Sequence, residues 1–272
     1  MSDGAFLEWC RVHTEFLYTM LYEGDFIFFD LWSLVHFGTG MVVFMLIASL
    51  NFRHKWRWFL FFILLYEIAE VAFIYFAFNF FRPERYNDLI LDIIVGVVAA
   101  FLSYYLLLYR SDARKTVYLP AWLIMLFSSL TFAFVWVGNY QYQYNFAFLN
   151  TKGLNIGAFG LWTIGGFIFL LFYETIIRRE ESFLKRIFFG WIVYFVLLLA
   201  TEYTGYYLMN WHEVSIPGAR SLILGLIHGN LAMHVYYVIF PLLIIPFYEL
   251  FSKWIYRAQR NLAVEKYGHE KA

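Results

Sequence analysis

Residues 66–96 read YEIAEVAFIYFAFNFFRPERYNDLILDIIVG. Two apolar runs flank the turn chemistry of FFRPERYND, and four carboxylates, Glu67, Glu70, Asp88 and Asp92, stand inside those runs. An Asp or Glu near the middle of a membrane helix costs roughly 2.5–3.5 kcal/mol on insertion scales. Several in one short stretch must therefore face one another, a cation or a water-filled cavity. Glu67 and Glu70, at i, i+3, share one helix face; Asp88 and Asp92, at i, i+4, share another, and Gly96 extends that stripe. Glycine there allows a second helix to approach closely.

The rest of the chain has the same character. Of 272 residues, 62% are hydrophobic and 15% charged, against about half and a quarter in a soluble domain. Apolar spans recur at about 26–50, 57–81, 88–109, 118–138, 154–177, 187–209 and 220–250, each near the length that crosses a bilayer. The fold class expected is all-α: a polytopic bundle of about seven transmembrane helices over 26–258. An amphipathic interfacial helix over 1–25 precedes it, its pattern covering 3–24, and a cytoplasmic tail over 259–272 follows. Pro241 and Pro246 are expected to kink the last span, or an interfacial segment continues to about Arg257.

Fifteen of the twenty Lys and Arg fall in the loops after spans one, three and five and in the C-terminal tail. The positive-inside rule then puts the N-terminus outside and the C-terminus in the cytoplasm of an inner or plasma membrane. Lys+Arg and Asp+Glu balance at 20 each and no basic tract exists, which excludes a nucleic-acid partner. The one cysteine, Cys10, excludes an intrachain disulfide and a CxxC redox pair. The N-terminus has neither a basic n-region nor a small-residue cleavage site, so no removed signal peptide is expected. Nucleophile-elbow, HExxH, Walker and kinase signatures are absent. The last span has no lysine for a retinal Schiff base, and no histidine pair suggests haem.

Counting from the outer ends, Asp88 lies close to the surface, with Asp92 about 6 Å deeper; Glu202 and His228 come at roughly 12 Å, and His36, Glu67, Glu70 and His234 at roughly 15–21 Å. Acids and imidazoles are thus expected between the bilayer centre and the outer face. In the cytoplasmic half Glu174 alone is expected at such depth, and Arg178 at i, i+4 accounts for it. Carboxylates with neutral imidazole suit Zn, Mn or Fe; carboxylates alone suit Mg or Ca. The expected ligands of a divalent metal ion are His36, Glu67, Glu70, Asp88, Asp92 and His228, with Glu67, Glu70, Asp92 and Glu202 as acid/base groups. Against this, each acid could be hydrogen-bonded to its own neighbour, and Asp88 and Asp30 could be first-turn or capping acids. Arg82, Arg85 and Tyr206 are candidate substrate contacts, the arginines otherwise interfacial anchors. Residues 139–155 are rich in Tyr and read either as an aromatic belt with its loop or as a lid over a cavity. His212 and Glu213 sit in a second outer loop.

Residues 30–96 resemble the VanZ-like family of small polytopic membrane proteins linked to teicoplanin resistance. The likeness is carried by Asp30 and His36, Glu67 or Glu70, Arg85, the pair Asp88 and Asp92, and Gly96, and it covers the first three spans. It implies an envelope role on the outer face. The function expected is an integral membrane enzyme acting on a lipid or polyisoprenoid substrate, with membrane lipids as its surroundings. A cation- or proton-coupled transporter and a non-catalytic subunit of an envelope complex are the alternatives.

Overall fold

The computed structural model describes residues 15–23, 28–76, 86–109, 111–112, 115–116, 121–137, 142–149, 155–213 and 231–267. Among them are seven α-helices: α1 (Leu31–Ser49), α2 (Lys55–Phe76), α3 (Tyr86–Tyr109), α4 (Ala121–Val137), α5 (Ile156–Thr175), α6 (Phe183–Tyr203) and α7 (Leu231–Tyr267). Five segments are long and apolar enough to cross a membrane: Leu31–Ser49, Leu89–Leu107, Ile156–Arg179, Phe183–Leu208 and His234–Lys266. Large apolar side chains remain exposed along the helix faces, as at Phe61, Leu64 and Ile68 of α2 and Ile90, Ile94 and Val98 of α3. Such continuous apolar surface suits acyl chains and not water. The chain is a helical, multi-pass membrane protein.

The chain divides into two compact units where the sequence suggested one bundle over 26–258. One comprises residues 1–119 with 252–272, the other residues 120–251.

In the first unit, α1 and α3 pack almost backbone to backbone. A Cβ on Gly40 would lie 2.4 Å from the Gly96 carbonyl oxygen, so only glycine fits at Gly40. Away from that crossing the interior is aromatic: Phe44 packs against Trp56, Phe59 and Tyr104. The last turns of α7 close this end. Asn261 Nδ2 donates to the carbonyls of Ala48 (2.9 Å) and Ser49 (3.0 Å), serving acceptors that the end of α1 leaves without intrahelical partners. Gln259 donates to Leu107 O at 3.3 Å, and buried Lys55 pairs with Glu265.

Two expectations change here. The segment read as a cytoplasmic tail from 259 is helical to Tyr267 and buries Gln259, Leu262 and Ala263, because that face repeats at i, i+3 and i+4. The amphipathic helix expected over 1–25 does not reach residue 23. A 3-10 turn at Glu15–Tyr18 is followed by β1 (Met20–Glu23), which pairs antiparallel with β2 (Phe28–Asp30). The Gly24-Asp25 dipeptide between two apolar runs is a hairpin signal that the helical pattern obscured. Residues 1–14 lie outside the described residues.

In the second unit, α4, α5, α6 and the first part of α7 assemble around aromatic side chains. Phe240 meets Phe132, Trp162, Phe169 and Tyr194. Pro241 and Pro246 do not end α7, which runs on as one 37-residue helix. Trp191 Nε1 donates to Val238 O at 2.7 Å, within the turn that Pro241 interrupts. Two of the connecting segments meet: β3 (Tyr142–Gln143) pairs antiparallel with β4 (His212–Glu213).

Candidate metal centre

Asp30 starts the construction. It is the N-cap of α1, with its Oδ1 accepting from the backbone N–H of Ser33 at 2.9 Å, while Ser33 Oγ completes a capping box. Asp30 is thus committed to the helix end, the capping reading of the two the sequence allowed. Because β2 occupies residues 28–30, α1 begins at Leu31, later than the apolar run implied. His36 therefore lies roughly 8 Å from the start of α1, and Glu70 and Glu67 roughly 9 and 14 Å from the end of α2. Asp92 is roughly 9 Å along α3.

His36 is the hub. Its Nδ1 lies 3.4 Å from Glu67 Oε1; its Nε2 lies 3.8 Å from Glu70 Oε2 and 3.5 Å from Asp92 Oδ2. Three helices of one unit thus each supply charge to a common point. His36, Glu67 and Asp92 are 4%, 3% and 6% exposed, so water does not screen it. The Gly40–Gly96 contact, one turn from His36 and Asp92, brings α1 and α3 close enough for these side chains to meet.

Hydrogen bonding leaves the group unfinished. Among the described residues, His36 Nε2, both oxygens of Glu67 and Oε2 of Glu70 are buried with no hydrogen-bond partner. Such atoms normally find partners, and each left bare costs of the order of 1–3 kcal/mol or more for a charge. Glu70 Oε1 does have one, the indole Nε1–H of Trp32 at 3.0 Å. Trp32 and Tyr66 both pack edge-on against the His36 ring, at 5.9 and 5.7 Å, and Tyr18 stacks on Trp32. Sequence reading missed Trp32 and Tyr66. The available signal was spacing: Trp32 is one turn before His36, and Tyr66 is one turn before Glu70.

One ligand atom each from His36, Glu67 and Glu70 can be chosen so that all lie within 4.8 Å of one another. Two ligands each about 2.1 Å from one ion sit at most about 4.2 Å apart. Closing by roughly half an ångström brings the widest pair into range. Three ionised carboxylates around one imidazole would leave surplus negative charge of the kind a divalent cation can balance. One imidazole with carboxylates suits Zn, Mn or Fe.

Glu202 and Tyr206 belong to the second unit, where both line a cavity. Arg82, Arg85 and His228 lie outside the described residues, as does the side chain of Asp88. Glu174 pairs with Arg178, whose guanidinium lies 2.6 Å from both carboxylate oxygens. It is not the only acid in that region, as the sequence reading had it. Glu249, 9% exposed, accepts from Tyr173 and meets Arg186 at 2.7 Å.

No protein-family model, curated protein or solved structure matches the chain.

Proposed function

We propose that this protein is a seven-crossing enzyme of the cytoplasmic membrane, its N-terminus outside. His36, Glu67 and Glu70 hold one divalent metal ion and Asp92 supports them, near the outer face. The observation that carries the reading is the convergence of three helices on four buried polar atoms without partners. A bound ion at that point supplies Lewis acidity and activates water at neutral pH. Asp92, on the opposite side of the imidazole from Glu67, is placed to take or return a proton. The substrate class is a lipid or polyisoprenoid with a polar head, because the helices around the centre expose Phe, Leu and Ile toward the bilayer. The likeness of residues 30–96 to VanZ-like proteins belongs to the same proposal and favours an envelope role.

The test is elemental analysis of protein purified without added metal, beside lipid profiles of cells carrying the wild type or an E67Q/E70Q double variant. About one equivalent of Zn, Mn or Fe is expected in the wild type. A metal content no higher than that of the double variant would sink the proposal.

A proton-coupled transporter is the second reading. It is favoured by one observation: the two ring nitrogens of His36 face different acids, Glu67 on one side and Glu70 and Asp92 on the other. Proton flux in proteoliposomes that ceases with His36→Gln, in protein free of metal, selects it.

A further inference from the structure

The second unit contains a cavity that owes nothing to the metal centre. Its volume is about 100 Å³, several times the roughly 10–15 Å³ one water needs. Trp162, Tyr194, Tyr206, Trp211 and Phe240 line it together with Glu202. Among the described lining residues none is Lys, Arg or His, so none of them offers a cation to the Glu202 carboxylate.

Glu202 is poorly served as a membrane acid. The hydrogen bond it accepts comes from the Tyr237 hydroxyl at 3.2 Å, a neutral donor at long range. Tyr237 is itself held face to face by Trp162, with ring centroids 5.4 Å apart and planes at 15°. The Tyr194 hydroxyl and the Trp211 indole N–H are buried without hydrogen-bond partners. Wall, carboxylate and unpaired polar atoms thus occur in one place.

The backbone around the cavity is specialised for it. Past Tyr203, α6 widens into a π-helical turn at Thr204–Leu208, which includes the lining residues Gly205 and Tyr206. Such turns are rare and are frequently found at functional positions. The segments beside it are tied together by the β3–β4 pairing and by Asn145 Nδ2 donating to Met209 O at 2.8 Å. Tyr144 meets Trp211 edge-on at 5.1 Å, and its hydroxyl donates to Asn155 at 2.6 Å. Of residues 139–155, Tyr144 lines the cavity.

We infer that this cavity is a binding site for a small organic ammonium ion carrying a hydroxyl or ether oxygen. Aromatic faces attract a weakly hydrated cation through their quadrupoles. Glu202 supplies the counter-charge, and the oxygen gives the Trp211 N–H an acceptor. An acyl chain would fill the same walls but leave Glu202 and both unpaired groups as they are.

The experiment uses full-length protein in detergent micelles with two probes of one shape. Choline carries a quaternary nitrogen; 3,3-dimethylbutan-1-ol has carbon in its place. Binding is read by equilibrium dialysis and by tryptophan fluorescence. Choline is expected to bind the wild type more tightly than the alcohol. Glu202→Gln should weaken choline roughly tenfold or more while leaving the alcohol unchanged. Metal content and helical circular dichroism verify that the variant is folded. Should it fail to fold, Trp162→Leu is read instead, and it should weaken choline more than the alcohol. Equal affinities of the wild type for both probes, an unchanged choline affinity in Glu202→Gln, an equal loss of both in Trp162→Leu, or no binding of choline to the wild type would each overturn the assignment.

Discussion

The two units handle buried acids in opposite ways. In the first, Glu67, Glu70 and Asp92 share a single imidazole, and four polar atoms of the group are left without partners. In the second, acids in the same oily surroundings are met one by one. Glu174 has Arg178 and Tyr248, and Glu249 has Arg186 and Tyr173. A carboxylate that has its own guanidinium and phenol needs no further ligand. A shared and incomplete group does. On the proposals made above, the difference separates acids that hold the fold from acids that take a ligand the chain does not supply, and Glu202, with one distant phenol, stands with the second kind.

The sharpest way to break this contrast is to remove the shared acids. An E67Q/E70Q double variant is expected to lose metal binding altogether, by a hundredfold or more in affinity, since even outer-sphere partners are worth 10–100-fold. Titration of the metal-free protein measures it. Thermal stability of that metal-free protein should stay equal or rise, because unpaired buried charge is removed. A fall as large as that of a broken ion pair would mean the acids are privately satisfied after all.

The converse variant lies in the second unit. Glu249→Ala strands the guanidinium of Arg186, which is 17% exposed at its side chain, and should cost about 3 kcal/mol of stability. Metal content should not change. Loss of metal would show that the two acid classes are coupled.

Two smaller changes sharpen the geometry. Gly40→Ala drives a methyl group into the Gly96 carbonyl and should cost about 1–3 kcal/mol while also weakening metal binding. Gly96→Ala meets its nearest neighbour, Ile63 Cδ1, at 3.6 Å and should be tolerated. Trp32→Phe keeps the ring but removes the donor to Glu70, so metal affinity should fall about tenfold at little cost in melting temperature. The smallest effect belongs to Asp30. As a cap it should cost about 1 kcal/mol on replacement by Ala, read by thermal unfolding, with metal retained. A metal-free Asp30→Ala protein would make it a ligand.

Much of the first centre was legible before any coordinates. The i, i+3 spacing of Glu67 and Glu70 and the glycine at 96 placed acids and a close helix contact on inward faces. His36 was among the expected ligands. Trp32 and Tyr66 were not, because their one-turn spacing from His36 and Glu70 does not single them out in runs so rich in aromatic residues. Glu202 was grouped with the acid/base residues of the same centre because depth along a span was the measure used. Depth places residues in one plane of the membrane and leaves open which helices adjoin within it. Glu249 was overlooked in a span long enough for its boundary to be uncertain, and the β1–β2 hairpin was hidden beneath a plausible amphipathic pattern.

Composition and apolar run length alone were enough to determine a helical membrane protein, because the bilayer imposes one length and one backbone hydrogen-bonding solution on whatever crosses it. The 3.6-residue period determined which acids share a face of their own helix. Only the tertiary structure decided that His36, Glu67, Glu70 and Asp92 meet, that Glu174 and Glu249 are neutralised locally, and that Glu202 belongs to another cavity. A buried charge requires some partner for a general energetic reason, but the identity of that partner depends on how helices distant in sequence are rotated and paired, and no local pattern encodes that.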